Sequence, residues 1–111
     1  MQTYTIIETV PFEKKVLELS EFEQNRIEKF ILQITEKGAL VGKPLSGFTF
    51  FREKKFNGNR MYFLFYEEWK AVLLLTISDK KEQPKTIEDI KRRFPEYREY
   101  VRQKLIGLGL L

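Results

Sequence analysis

Glu53, Lys55, Arg60 and Tyr62 are the side chains whose types and spacing could do chemistry in this chain. They flank Asn57-Gly58, and Asn-Gly between two alternating runs is the strongest short-range hairpin signal, because both central residues of a type I′ turn need φ > 0. With a two-residue turn, Phe56 pairs with Asn59, Lys55 with Arg60, Glu53 with Tyr62 and Phe51 with Leu64; the last three pairs share one face. Lys54 with Met61, Arg52 with Phe63 and Phe50 with Phe65 fall on the other. Lys55 and Arg60 then stand side by side as like charges, which costs stability unless an anion lies between them. Glu53 can be that anion, giving an ordinary solvated face with a Glu–Arg pair. A phosphate can be the other, held in two bonds by the planar fork of arginine and attracted by the point charge of lysine. Tyr62 and Tyr66 share this face and could stack on bases. Core packing is the alternative reading, and it suits Tyr66 better.

A third apolar run follows Glu67-Glu68 and ends at Ser78, so residues 48 to 78 read as a three-stranded antiparallel meander. If Glu67-Glu68 is a tight turn, Arg60 stands near Leu75. The polar loop from Asp79 to Lys85 then leaves the end of the sheet that carries the cluster, and Lys80 and Lys81 converge on it; Lys85 reads as merely solvated. Upstream, Thr3 to Glu8 alternates as a first strand, an outer partner of the meander. Thr9 caps a short helix with Pro11 in its first turn. Ser20 and Glu23 form a capping box for a second helix, whose stripe of Ile27, Phe30, Ile31 and Ile34 ends at Gly38. These two helices make a hairpin that needs a face of the sheet to cover. Residues 39–46 read as a connection. Thr86 is placed as the cap of a third helix from Ile87 to about Phe94, and Pro95 breaks or restarts it before a pattern running from Glu96 to Leu105. The tail from Ile106 to Leu111 has no assignment.

The 111 residues suit one domain, and 42% hydrophobic with 14% aromatic content supports an ordinary core. The absence of cysteine and histidine excludes disulfides, thiolate zinc sites, cysteine nucleophiles, imidazole acid–base chemistry and the Ser-His-Asp triad. Gly42-Lys43 lacks the spacing of a phosphate-binding P-loop. A net charge of +4 and a pI near 9.3 suit an anionic partner. Lys91, Arg92, Arg93, Arg98, Arg102 and Lys104 are interleaved with Glu88, Asp89, Glu96 and Glu99, which reads as a salt-bridged helix surface. No run is long enough to span a bilayer and no leader pattern is present, so a cytoplasmic protein is expected.

The collinear order of several short motifs resembles the RelE/ParE superfamily of toxins from prokaryotic toxin–antitoxin pairs. These are Phe12 and Leu19 in the first helices, GKPLSG, FREKKFNGNRMYF and LLLTIS. The segment KKEQPKTIEDIKRRFPEY is similar to that of the HigB branch and its phage-encoded relatives. The resemblance covers most of the chain. It implies one α+β domain over residues 1–111, with an N-terminal helical hairpin packed on a twisted, mainly antiparallel sheet and helices at the C-terminus. It implies a type II toxin that cleaves mRNA on the ribosome without metal or cofactor, held inactive by an antitoxin in a hetero-oligomer. A gyrase-binding toxin and a decayed, antitoxin-binding member are the alternatives. On this resemblance Arg60, Lys81, Lys55 and Glu53 are the catalytic set, while Lys80, Lys54, Tyr62 and Arg52 bind RNA. The C-terminal segment departs from the pattern: Ile87 stands where a tyrosine is expected, leaving Tyr97 or Tyr100 as substitutes.

Overall fold

A computed structural model describes residues 3–38 and 41–111. Strand β1 (Thr5–Glu8) leads into α1 (Val10–Leu17) and α2 (Glu21–Lys37), then β2 (Lys43–Leu45), β3 (Phe48–Phe56) and β4 (Asn59–Tyr66). A 3-10 turn (Glu67–Trp69) precedes β5 (Ala71–Asp79), and α3 (Gln83–Arg92) and α4 (Phe94–Gly107) close the chain. The sheet order is β1-β5-β4-β3-β2, antiparallel except that β1 runs parallel to β5. The expected fold class is the observed one. No helix among the described residues is long and apolar enough to cross a membrane.

The caps form as their chemistry dictates. Ser20 and Glu23 complete the reciprocal capping box of α2, which ends at Gly38. Thr9 caps α1 by accepting from the Phe12 N–H at 3.1 Å, and its hydroxyl donates to the Leu75 carbonyl at 2.7 Å. One buried side chain thus fixes both the start of α1 and its place against β5. Thr9→Val keeps the shape and loses both bonds, so it should lower unfolding free energy by about 1–3 kcal/mol in urea titration.

Each face of the sheet carries its own core. The helical hairpin packs Phe12, Ile27, Phe30 and Ile34 on Met61, Phe63, Phe65, Val72 and Leu74. On the other face α3 and α4 bring Ile90, Val101 and Leu105 onto Phe51, Tyr62, Leu64, Leu73 and Leu75. Full coverage of both faces explains why β4 is buried along nearly its whole length.

Several elements differ from expectation. Lys43–Leu45, read as connection, is an edge strand on β3; residues 39 and 40 of that connection lie outside the described residues. Gly42 precedes this strand at φ +78°, where an added Cβ would stand 2.5 Å from the Glu53 carbonyl oxygen and 2.9 Å from the Phe63 ring. The β3–β4 register matches the hairpin reading from Phe56–Asn59 to Phe51–Leu64, but the ladder stops there, and Phe50 does not pair with Phe65. On the β5 side Arg60 pairs with Ser78 rather than with Leu75. Tyr66 pairs with Ala71 because the connection is a 3-10 turn plus Lys70 in the left-handed region, not a two-residue turn. A bulge between Tyr62 and Phe63 then inserts Leu75 as an extra residue. Helix α3 begins at Gln83, ahead of Thr86, with Pro84 in its first turn where no N–H is needed. Pro95 restarts the helix in the same way, and α4 extends to Gly107 through the start of the unassigned tail.

Candidate phosphate-binding site

The Asn57-Gly58 turn sets Lys55 opposite Arg60 and Glu53 opposite Tyr62 on the face that α3 and α4 cover. Asn57 at φ +46° and Gly58 at φ +79° adopt the conformation that the turn requires. The same end of β5 brings Ser78 beside Arg60 and Asp79 beside Asn59. Lys80 and Lys81 follow at once in the exposed turn into α3. The sequence therefore anticipated the convergence of the two basic stretches, although it placed the strand pairing three residues away.

Burial separates the members of the cluster. Lys55, Lys80 and Lys81 are exposed, whereas Arg60 is only 8% exposed, Glu53 3% and Tyr62 0%. Arg60 takes part in no ion pair among the described residues, and its buried Nε has no hydrogen-bond partner there. A buried N–H donor without a partner is costly, and an anion with oxygen acceptors is what would satisfy it. Glu53 is not its counter-ion. The Glu53 carboxylate instead accepts from the Gln83 side-chain amide at 2.8 Å, which ties the first turn of α3 to the sheet.

Tyr62 has no surface on which a base could stack, which corrects that expectation. Its hydroxyl lies 2.7 Å from Ser78 Oγ, and Ser78 donates onward to the Asp79 carbonyl at 3.0 Å. Desolvation by burial holds the Tyr62 phenol above its ordinary pKa, with the Ser78 bond acting in the opposite direction. Tyr66 is likewise buried and stacks on Trp69. Two further residues leave the cluster. Arg52 donates from Nε to the Val41 carbonyl at 2.9 Å, from one terminal nitrogen to the Gly42 carbonyl at 2.8 Å and from the other to the Thr49 carbonyl at 3.3 Å. With all its nitrogens on main-chain carbonyls, Arg52 braces the approach to β2 rather than offering a free fork. Lys54 points to the hairpin side, with Nζ 5.3 Å from the centre of the Phe30 ring. Both sit on the face opposite Arg60.

Gln83 and Ser78 are the polar neighbours that sequence reading missed. Pro84 carries the signal for Gln83, since proline in a first helical turn puts the preceding glutamine at the helix start. Ser78 alternates onto the Arg60 face only once the bulge at Leu75 is known. Tyr97 and Tyr100 lie elsewhere, around a cavity of about 530 Å³ shared with Thr9, Leu75 and Thr76. Burial raises the pKa of Tyr97. Among the described residues no group of three or more acidic side chains could hold a metal ion.

No protein-family model and no curated protein matches the chain. Solved structures do. The E. coli toxin RelE, as a mutant in the free state, is similar over 82% of this chain and 98% of its own, with a TM-score of 0.69 and 15% identity. The toxin–antitoxin complex RelBE2 from Mycobacterium tuberculosis covers 72% of this chain and 94% of its own, with a TM-score of 0.61 and 18% identity. The RelB–RelE antitoxin–toxin complex from Methanococcus jannaschii covers 72% and 96%, with a TM-score of 0.59 and 11% identity. At these identities the likeness is one of architecture, and it extends over nearly the whole of each neighbour: this chain has the fold of the RelE toxins.

Proposed function

We propose that this protein is the toxin of a toxin–antitoxin pair and acts as a metal-independent endoribonuclease on mRNA bound to the ribosome. The observation that carries the reading is buried Arg60, with an unpartnered Nε, on the middle strand of a RelE-type sheet, with Lys55, Lys80 and Lys81 exposed around the same end. In the reaction the RNA 2′-oxygen attacks the adjacent phosphorus, the bond to the 5′-oxygen breaks, and a 2′,3′-cyclic phosphate and a 5′-hydroxyl result. Arg60 and Lys81 stabilise the charge on the pentavalent phosphorane. Lys55, exposed beside Arg60, is better placed than Glu53 to assist proton transfer. Glu53 positions Gln83 and α3. Lys80 adds a contact to the RNA backbone.

The antitoxin follows from the same reading, because a cell must survive the synthesis of such an enzyme. Ile106, Leu108, Leu110 and Leu111, each 42–62% exposed, offer it apolar surface at the C-terminus. Expression of the chain alone should arrest growth, and co-expression with the acidic product of a neighbouring gene should relieve the arrest. Primer extension on translated mRNA should show new 5′ ends during arrest. Arrest without new ends, accompanied by loss of DNA supercoiling, would support the gyrase-binding alternative. Growth without arrest would support a decayed member.

A further inference from the structure

The β3–β4 ladder ends at Phe51–Leu64, although β4 continues through Phe65 and Tyr66 and β3 begins at Phe48. The reason lies on the other side of β3. There Pro44 pairs with Arg52 but Leu45 pairs with Phe48, so the register shifts, and Thr49 and Phe50 pair with neither neighbouring strand. Arg52 holds the distortion by donating to the Thr49 carbonyl while it grips those of Val41 and Gly42. A gap opens between the strands beneath the first turn of α4. It encloses a cavity of about 650 Å³ whose walls include Phe50, Leu64, Tyr66 and Phe94. That volume lies in the range of ligand-binding cavities.

We propose that this splayed gap is a docking slot for an extended apolar segment of a partner protein, separate from the Arg60 site. Two features select that occupant. First, Phe65 and Tyr66 have β5 partners but no β3 partners. One side of the β4 main chain is therefore left without a ladder, and an added strand supplies the missing donors and acceptors. Second, the rim carries Glu67, Glu68, Arg52 and Arg98, and each is already held: Arg98 is paired to Glu68 at 3.3 Å and seated 4.5 Å from the centre of the Trp69 ring, Glu67 is paired to Lys70 at 2.8 Å, and Arg52 donates to main-chain carbonyls. A rim whose charges are all partnered offers a nucleic-acid backbone no free cation but accepts an uncharged peptide. Phe50, 38% exposed, and Phe94, 5.2 Å away in an edge arrangement, offer an aromatic wall to one bulky side chain.

The test uses the full chain, labelled with 15N, and the peptide acetyl-Thr-Val-Phe-Val-Thr-amide. Amide shifts should concentrate at Thr49–Phe50 and Leu64–Tyr66, with slowed hydrogen exchange at Phe65 or Tyr66. A peptide with alanine for its phenylalanine should bind about 10- to 100-fold more weakly. One with N-methyl groups on alternate amides should bind roughly 2- to 10-fold more weakly, because each removed donor weakens the ladder. Phe50→Ala, at a half-exposed position, should reduce binding without loss of fold. Shifts that spread over the Arg60 face instead, absence of shifts at millimolar peptide, or occupancy of the slot by a uridine oligonucleotide but not by the peptide would each overturn the proposal. None of these outcomes depends on whether the protein cleaves RNA.

Discussion

Arg60→Ala is expected to lower ribosome-dependent cleavage about 100- to 1000-fold, the usual loss when one positioned donor to a transition-state oxyanion is removed. The same change should leave the melting temperature close to that of the wild type. An exposed ion pair would have given that result by contributing little, but the structure supplies a different reason. Arg60 takes part in no ion pair among the described residues, and its buried Nε–H has no hydrogen-bond partner there, so the folded state gains little from the guanidinium and leaves one donor unsatisfied. Removing that donor favours folding, while the space left behind opposes it. Arg60→Met separates the two by filling that space with an uncharged chain, and it should melt at or above the wild-type temperature while remaining inactive. Primer extension on translated mRNA and thermal melts of the three proteins decide the matter. If Arg60→Met unfolds, the guanidinium is a structural brace; if a folded variant still cleaves, the site lies elsewhere. Lys81→Ala should lose less activity, because Lys81 sits exposed in a turn where solvent screens its charge.

Gly42→Ala should be a strongly damaging substitution, costing about 2–5 kcal/mol. The left-handed backbone disfavours any side chain at φ +78°, and the new methyl would collide with the Glu53 carbonyl, a backbone atom that cannot swing aside. Relief requires β3 to move at Glu53, the residue that holds Gln83 and α3 in place. Loss of stability and of cleavage should therefore appear together, in contrast to Arg60→Met. Gly47 is the control, since it has a similar φ of +77° but open space around its Cβ direction. Gly47→Ala carries the backbone strain alone, and the difference between the two midpoints in urea measures the collision. Equal midpoints would show that β3 yields freely at Glu53.

Gly42 also marks where sequence reading stopped. The hairpin register from Phe56–Asn59 to Phe51–Leu64 was legible because a two-residue Asn-Gly turn fixes pairing locally, with no information needed from elsewhere in the chain. Capping was legible for the same reason at Thr9 and at Ser20. The β4–β5 register was not, since a 3-10 turn and a bulge each add residues that carry no strong local signature. Nor did the sequence assign the second layer. The alternation that correctly put Arg60, Glu53 and Tyr62 on one face is silent on whether helices or water cover it, so a solvated face stayed open as a reading where α3 and α4 make a core. The surroundings of Arg52 and Lys54 were illegible for a related reason: alternation puts both on the far face, but it does not show that main-chain carbonyls hold the Arg52 nitrogens or that Lys54 lies over the Phe30 ring.

The parallel pairing of β1 with β5 has a consequence for biosynthesis. Thr9 and its acceptor Leu75 are 66 residues apart, so the contact that seats the first helix waits until the last strand has been made. The meander from β3 to β5 closes through short connections and can form first, whereas β1 must cross the whole of it to reach its place. A nascent chain halted before β5 holds the Asn-Gly hairpin with Lys55 and Arg60 already opposed, but it lacks the edge that anchors α1 and the turn that supplies Lys80 and Lys81. Synthesis runs vectorially from the N-terminus, so the complete cationic site assembles only after β5 and the turn that follows it have been made. A product truncated before β5 would therefore lack Lys80, Lys81 and the strand that stands beside Arg60.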